Sequence, residues 1–176
     1  MKQIAVLITC FNRKAKTLTC LQDIYNQKET NNNRIDIFVV DGGSTDGTPE
    51  AIKTQFPAVN VNIQKGLYWA GGMRKAWEIA IDTKIEYDFF WLVNDDTTIY
   101  PNCLSYLLNA DEYAHTIYGK GGIYVGATKD KNSNDITYGG EIEGIGHINP
   151  NGKYQEIQLG NANIMLVSRE VFLVIG

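Results

Sequence analysis

Short apolar runs alternate with segments whose apolar residues recur at helical spacing along the first part of the chain. Four runs predict strands, at residues 4–9, 35–40, 59–64 and 89–93. The segments between and after them predict helices, at residues 16–27, 49–56, 71–83 and 101–113. Alternation of this kind predicts an α/β fold, with a mostly parallel sheet, right-handed crossovers and helices on both faces.

The pattern changes after residue 120. Four further strands are predicted, at residues 121–128, 137–145, 153–159 and 164–168. The stretch 139–152 is rich in Gly and Asn, which favours loops or a β-hairpin. No repeat or domain boundary is visible, so we expect one domain over residues 1–176 with a mixed β extension.

Composition narrows the class of protein. The 176 residues suffice for one α/β domain with a full core, and the hydrophobic fraction of 44% indicates a globular chain. A net charge of −4 argues against a general nucleic-acid surface. The three cysteines form no CxxC pair and suggest neither a disulfide framework nor a zinc site. No apolar run is long enough to span a membrane, and we expect a cytoplasmic protein.

Polar loops follow three of the predicted strands. We call them the first loop (residues 10–14), the second loop (residues 41–48) and the third loop (residues 94–98). Ligands of parallel α/β sheets bind outside the carboxyl ends of the strands, so we expect the three loops to converge at one edge.

The second loop begins with Asp41 and is rich in glycine, which allows the backbone to approach a ligand closely. We expect Thr48 to cap the following helix and Pro49 to occupy its first position. An ordinary strand–turn–helix connection would have the same pattern.

The third loop contains two adjacent carboxylates, Asp95 and Asp96. Like charges at this spacing repel and need a positive partner. A divalent ion is the simplest one, since Mg²⁺ is usually held by one or two carboxylates together with substrate phosphates. The alternative is a solvated turn with an aspartate cap.

Two more segments carry candidate ligand contacts. In and beside the first loop, Thr9 can donate a hydroxyl, Phe11 can stack on a base and Arg13 can pair with phosphate. The tryptophan segment (residues 65–74) runs from a strand into a helix whose amino terminus favours anions. Trp69 could form a platform there, although aromatic residues in such positions are more often part of the core.

Five pieces of the sequence together resemble a known family. They are TCFNR, VVDGGSTDGT, YWAGGMRKAWEIA, WLVNDDT and GNANIMLVSREVF, and they run in that family's order. The chain resembles the amino-terminal part of a family 2 inverting glycosyltransferase with the GT-A fold. The tryptophan–glycine–glycine piece looks most like the rhamnosyltransferase and galactofuranosyltransferase branch.

The resemblance implies a role for each matching residue. Asp95 would lie near the ribose, and Asp96 would bind Mn²⁺ or Mg²⁺ on the diphosphate. Asp41 would bind the nucleobase. The other implied contacts to the donor nucleotide are Thr9, Phe11, Asn12, Arg13 and Ser44. The implied contacts to the donor sugar and phosphates are Lys65, Trp69, Gly71, Gly72 and Arg74.

The chain departs from the family pattern in three ways. Gly42 and Asn94 stand where the family often has aspartates. The family's general base follows the last matching piece, so we expect it beyond Gly176 in a longer sequence and leave the catalytic base unassigned. Glu141 and Glu143 form the only acidic pair near the expected acceptor side, and we do not expect them to replace that base.

The implied reaction transfers a sugar from a UDP- or dTDP-sugar to a saccharide or lipid-linked acceptor with inversion, in cell-surface polysaccharide synthesis. A lipid-linked acceptor would bring the protein to the inner face of the membrane. Two alternatives remain open: a metal-dependent sugar nucleotidyltransferase, and a non-catalytic module that binds nucleotide sugars. A phosphatase of the aspartyl-phosphate type is disfavoured, because Ser44 stands where its nucleophilic aspartate would be.

Overall fold

The structure is a computed structural model that describes residues 1–28, 32–133 and 135–175. The first elements alternate as predicted: β1 (Gln3–Cys10), α1 (Lys14–Tyr25), β2 (Arg34–Asp41), α2 (Thr48–Gln55), β3 (Asn60–Ile63), α3 (Trp69–Asp82), β4 (Phe89–Asn94) and α4 (Cys103–Tyr118). The later elements are short: β5 (Ile123–Val125), β6 (Thr128–Lys129), β7 (Ile136–Tyr138), β8 (Gly140–Ile142), β9 (Gly146–His147), β10 (Leu159–Gly160), β11 (Ile164–Ser168) and α5 (Arg169–Ile175).

The main sheet has the strand order β3-β2-β1-β4-β11-β5. Strands β1 to β4 are parallel, whereas β11 pairs antiparallel with β4 and with β5. This arrangement confirms the predicted α/β class with a mostly parallel sheet and a mixed extension. No helix among the described residues is long and apolar enough to cross a membrane.

Helices cover both faces of the sheet. Because the side chains of a strand alternate between its two sides, each strand packs against helices on both faces. In β1, Val6 and Ile8 join the cluster that packs against α1, α2 and α4, and Leu7 joins the cluster that packs against α3. Trp91 in β4 is wholly buried in the first cluster. Polar side chains are therefore confined to the ends of the central strands.

Several predicted boundaries were wrong. Helix α4 begins at Cys103, two residues after Pro101, and continues to Tyr118, where Gly119 ends it with a φ of 69°. The predicted strand 153–159 does not form, since only its last residue belongs to a strand, β10. The predicted strands 121–128 and 137–145 are each divided into two short strands. Strands β10, β8 and β9 form a small antiparallel sheet of their own.

Gly72 lets α3 lie directly on β1. A β-carbon at this position would be 2.4 Å from the Thr9 hydroxyl oxygen, far inside van der Waals contact. Any larger residue would push the helix away from the sheet, and with it the tryptophan segment. Close packing against Thr9 therefore explains why a glycine occurs within this helix.

We expect Gly72→Ala to lower the free energy of unfolding by about 1–3 kcal/mol, as overpacking of a buried contact does. Chemical denaturation measures this directly. Gly71→Ala is the matched control, because its new β-carbon would meet the flexible end of Leu67 at 3.2 Å. Adding Thr9→Ala to Gly72→Ala should restore most of the loss; a double variant no better than the single one would contradict the steric explanation.

Candidate functional site

The first and second loops are bound to one another by hydrogen bonds. The backbone N–H of Asn12 donates to the Ser44 hydroxyl at 2.7 Å, and the Asn12 side-chain oxygen accepts from the Thr45 N–H at 2.8 Å. Asn12 has a φ of 50°, a conformation that asparagine tolerates better than most residues. The backbone turn therefore brings the two loops together, as their position after adjacent parallel strands predicts.

Asp41 lies inside the second loop and has no exposed surface. One carboxylate oxygen accepts from the N–H groups of Gly43 and Ser44 at 2.9 and 2.7 Å. The other accepts from the Ser44 hydroxyl at 2.5 Å and from the Cys10 thiol at 3.3 Å. The carboxylate thus organises the loop and is fully buried, and its binding to the nucleobase stays a prediction.

Asp46 connects the starts of two helices, a role that the sequence analysis missed. One oxygen accepts from the N–H of Lys14 at 2.9 Å, at the start of α1, and the other from the N–H of Thr48 at 3.1 Å. The bond from the Thr48 hydroxyl is the main reason why the pKa of Asp46 is lowered. Thr48 was expected to be the cap, but it is the first residue of α2 and Asp46 supplies the acceptor. An aspartate two residues before a Thr-Pro helix start was the available signal.

In the third loop, Arg13 bridges the two adjacent carboxylates. Its Nη1 atom lies 3.1 Å from Asp95 Oδ1 and 3.1 Å from Asp96 Oδ2. Asp95 is nearly buried, and burial raises its pKa, while a hydrogen bond from Thr17 at 3.0 Å and the charge of Arg13 oppose that shift. The positive partner that the adjacent carboxylates require is therefore a residue of the first loop.

Asp96 is the more accessible of the two carboxylates, with 32% of its side chain exposed. Lys16 lies 3.9 Å from the same oxygen that Arg13 contacts. Among the described residues, no three His, Cys, Asp or Glu side chains are arranged to hold a metal ion. The donor set fits Mg²⁺ or Mn²⁺ only in the mode in which one or two carboxylates share the ion with phosphate oxygens.

Asn94 links the third loop to two other segments through its side-chain amide. Its oxygen accepts from the indole N–H of Trp69 at 2.7 Å, and its nitrogen donates to the side-chain oxygen of Asn163. The backbone N–H of Asn163 in turn donates to Asn161 Oδ1 at 2.9 Å. Asn94 therefore has a bridging role, and the indole of Trp69, 44% exposed, is held at the rim of the site.

The remaining candidate donor-binding residues differ in how exposed their side chains are. Phe11 is more than half exposed and lies beside Gly42, so its ring borders the open edge. Thr9 is nine-tenths buried beneath α3, which leaves its hydroxyl little access to a ligand. Lys65 is exposed, and its stem packs over Gly43. Arg74 is exposed on α3 and lies 3.7 Å from Glu78, and its contact with the donor stays a prediction.

Cys10 and Cys20 lie beneath the loops. The Cys10 thiol donates to Asp41, and the Cys20 thiol lies 3.6 Å from the backbone oxygen of Asn94. Burial raises the pKa of both thiols, chiefly by desolvation of the thiolate. They are therefore weak donors that pack under the site and are not nucleophiles.

A mostly parallel sheet with these loops at its carboxyl edge and an antiparallel extension defines a domain of the GT-A class. The chain belongs to glycosyl transferase family 2, whose family model matches residues 5–175. The resemblance drawn from the sequence is thereby confirmed at the level of the family, and the branch stays a prediction. A search of curated proteins found no significant match.

Solved structures share the fold. The mannosyltransferase PcManGT from Pyrobaculum calidifontis, in complex with GDP-Man and Mn²⁺, has 16% identity and a TM-score of 0.63 over 99% of this chain and 47% of that chain. S. aureus TarS 1-349 in complex with UDP has 20% identity and a TM-score of 0.56 over 78% of this chain and 38% of that chain. At these identities the likeness concerns the fold alone, and the chain spans less than half the length of either protein.

We expect Asp41→Asn to lower the free energy of unfolding by about 2–3 kcal/mol, because an amide nitrogen would face donors that now bind a carboxylate. Thermal or chemical denaturation is the measurement. Asp82→Asn is the matched control, since Asp82 is mostly exposed and lies 3.8 Å from Lys84. A stable Asp41→Asn variant that has lost only its preference between UDP and ADP would instead support direct binding of the base.

Proposed function

We propose that this domain transfers a sugar from a nucleoside diphosphate to a saccharide or lipid-linked acceptor with inversion, in cell-surface polysaccharide synthesis. The observation that carries the proposal is the pairing of Asp95 and Asp96 with Arg13 at the carboxyl end of β4, beside two hydrogen-bonded loops. Family membership supports the class of reaction. The proposed donor is a UDP- or dTDP-sugar, and the proposed location is the cytoplasm, at the inner membrane face when the acceptor is lipid-linked.

Asp96 is the residue that we propose to hold a divalent cation, with the diphosphate supplying further ligands. When bound, such an ion neutralises the charge that grows on the leaving diphosphate. Asp95 is buried, and its Oδ2 atom accepts from Thr17, so it holds the loop. We propose that its Oδ1 atom, which contacts Arg13, is the one available to a ribose hydroxyl. PcManGT, which shares the fold, was solved with GDP-Man and Mn²⁺.

In this proposal Arg13 can pair either with the carboxylates of Asp95 and Asp96 or with the diphosphate of the donor. Without a ligand it neutralises Asp95 and Asp96. Half of its side chain is exposed, and a guanidinium can form paired hydrogen bonds to phosphate. We propose that Arg13 moves from the carboxylates to the diphosphate when a cation takes its place at Asp96.

In this proposal the base and the sugar of the donor contact different side chains. The exposed ring of Phe11 is available to stack on the base, beside the Asn12 and Ser44 contacts that shape the first and second loops. The indole of Trp69, held by Asn94, is available to the donor sugar. Lys65 is an exposed cation whose stem packs over Gly43 of the second loop, and we propose that it contacts a phosphate.

We expect UDP to bind tightly only with Mn²⁺, and Asp96→Ala to weaken that binding by about 1–3 kcal/mol, comparable to the loss of a hydrogen bond to a charged group. Isothermal titration with and without Mn²⁺ measures both effects. Asp82→Ala is the control for loss of a surface carboxylate. Affinity that is independent of the metal and of Asp96 would overturn the assignment.

Arg13→Gln should separate the two roles of the arginine. Without nucleotide, Mn²⁺ should bind up to about five-fold more tightly, because the competing cation is gone and an exposed pair of this kind is worth up to about 1 kcal/mol. With saturating Mn²⁺, UDP should bind more weakly. Electron paramagnetic resonance of free Mn²⁺ measures the first effect, and Arg169→Gln, which removes a surface pair with Glu86, is the control. Unchanged metal affinity would contradict the competition.

A further inference from the structure

An open cavity of about 200 Å³ lies beside the small sheet, away from the loops that bind the proposed donor. Its lining includes Tyr138, Glu141, His147, Leu159 and Asn161. Pockets for drug-sized ligands span roughly 300–1,000 Å³, so this cavity suits a smaller occupant, of the size of a single sugar ring.

The two strands beside the cavity, β8 and β10, are packed tightly against neighbouring side chains. In β8, a β-carbon at Gly140 would come within 2.2 Å of Ile157, and in β10 one at Gly160 would come within 2.7 Å of Val125. The two glycines face each other in the β10–β8 pair. Glu141, the neighbour of Gly140, is therefore directed to the opposite side of the strand, which is the side of the cavity.

The lining has the chemistry of a site for a neutral, hydroxyl-rich ligand. Tyr138 is half exposed and offers an aromatic face, while Glu141 and Asn161 offer oxygen acceptors. His147 Nδ1 lies 3.3 Å from Glu141 Oε1, so the imidazole and the carboxylate orient each other. No lysine or arginine lines the cavity within the described ranges, which disfavours a phosphate or nucleotide as its occupant.

The cavity is connected to the proposed donor site by a short series of hydrogen bonds. Asn161 lines the cavity and accepts from the backbone of Asn163. Asn163 accepts from Asn94, and Asn94 in turn accepts from the indole of Trp69. Because Ile164 pairs with Val93, this series lies at the carboxyl edge of β4, where Asp95 and Asp96 also lie.

We propose that this cavity is a saccharide subsite that binds one ring of the acceptor, with Tyr138 stacking on the ring and Glu141 and His147 binding its hydroxyls. The identification of the ligand as the acceptor rests on the proposed transferase function. The cavity itself would bind a neutral saccharide whether or not the nucleotide assignment holds.

Saturation-transfer NMR tests the proposal with the whole chain and a panel of methyl glycosides of glucose, galactose, mannose and rhamnose. At least one glycoside should receive saturation, and it should do so in the presence of UDP and Mn²⁺. Tyr138→Ala should weaken binding about five-fold or more, the loss that a missing aromatic contact of about 1 kcal/mol produces. Glu141→Gln, which keeps the size of the side chain, should also weaken it.

Tyr106→Ala is the matched control, since Tyr106 is an exposed tyrosine on α4 outside the cavity. Its glycoside binding should equal that of the parent chain. Absence of binding by the whole panel, or binding that is indifferent to Tyr138→Ala and displaced by UDP, would overturn the subsite.

Parallel titration with UDP and Mn²⁺ distinguishes the two proposals. Nucleotide binding without glycoside binding would refute the subsite and leave the transferase proposal standing. Glycoside binding that depends on Tyr138 without nucleotide binding would support the cavity as a saccharide site and refute the transferase proposal.

Discussion

Parallel pairing of β1 with a neighbour on each side is the constraint on which the site depends. β1 pairs in register with β2, so that Cys10 lies opposite Asp41, and with β4, so that Thr9 lies opposite Asn94. Three strand ends therefore meet at one edge, although their residues are separated by dozens of positions in the chain. The wholly apolar interior of β1 makes any other register costly, because a shift would move polar residues into the core.

At this edge the structure has to accommodate carboxylates that burial disfavours. Asp41 is stabilised by backbone and hydroxyl donors and Asp95 by Thr17 and Arg13, whereas the exposed Asp46 bonds to the starts of two helices. A buried acceptor without partners costs about 1–3 kcal/mol or more when charged, so these bonds hold the loops in one conformation. Asp96 is exposed as well, and it lies beside the cations Arg13 and Lys16. Three carboxylates thus bond to groups that hold the loops, and we propose that Asp96 is the one that binds a ligand.

The extension after residue 120 brings further polar side chains to the same edge. β11 returns antiparallel along β4, which places Asn163 beside Asn94. The small sheet precedes this strand, and its cavity is linked to Asn94 by hydrogen bonds through Asn161 and Asn163. The amides of Asn94 and Asn163 thereby join two segments, of which we propose that one faces the donor and the other the acceptor.

The sequence by itself determined the order of the first elements, the parallel class of the sheet and the convergence of the three loops, because buried strands and amphipathic helices have distinct periods. The family was indicated by the resemblance of five sequence motifs. Tertiary structure alone decided which carboxylate is available. Asp41, Asp95 and Asp96 all lie at or just after the ends of buried strands, yet Asp41 and Asp95 are buried and Asp96 is exposed. It also decided that Asn94 bonds to Trp69 and that α3 requires Gly72 beside Thr9. These contacts join residues far apart in the chain, and no local pattern encodes which partner a side chain meets after folding.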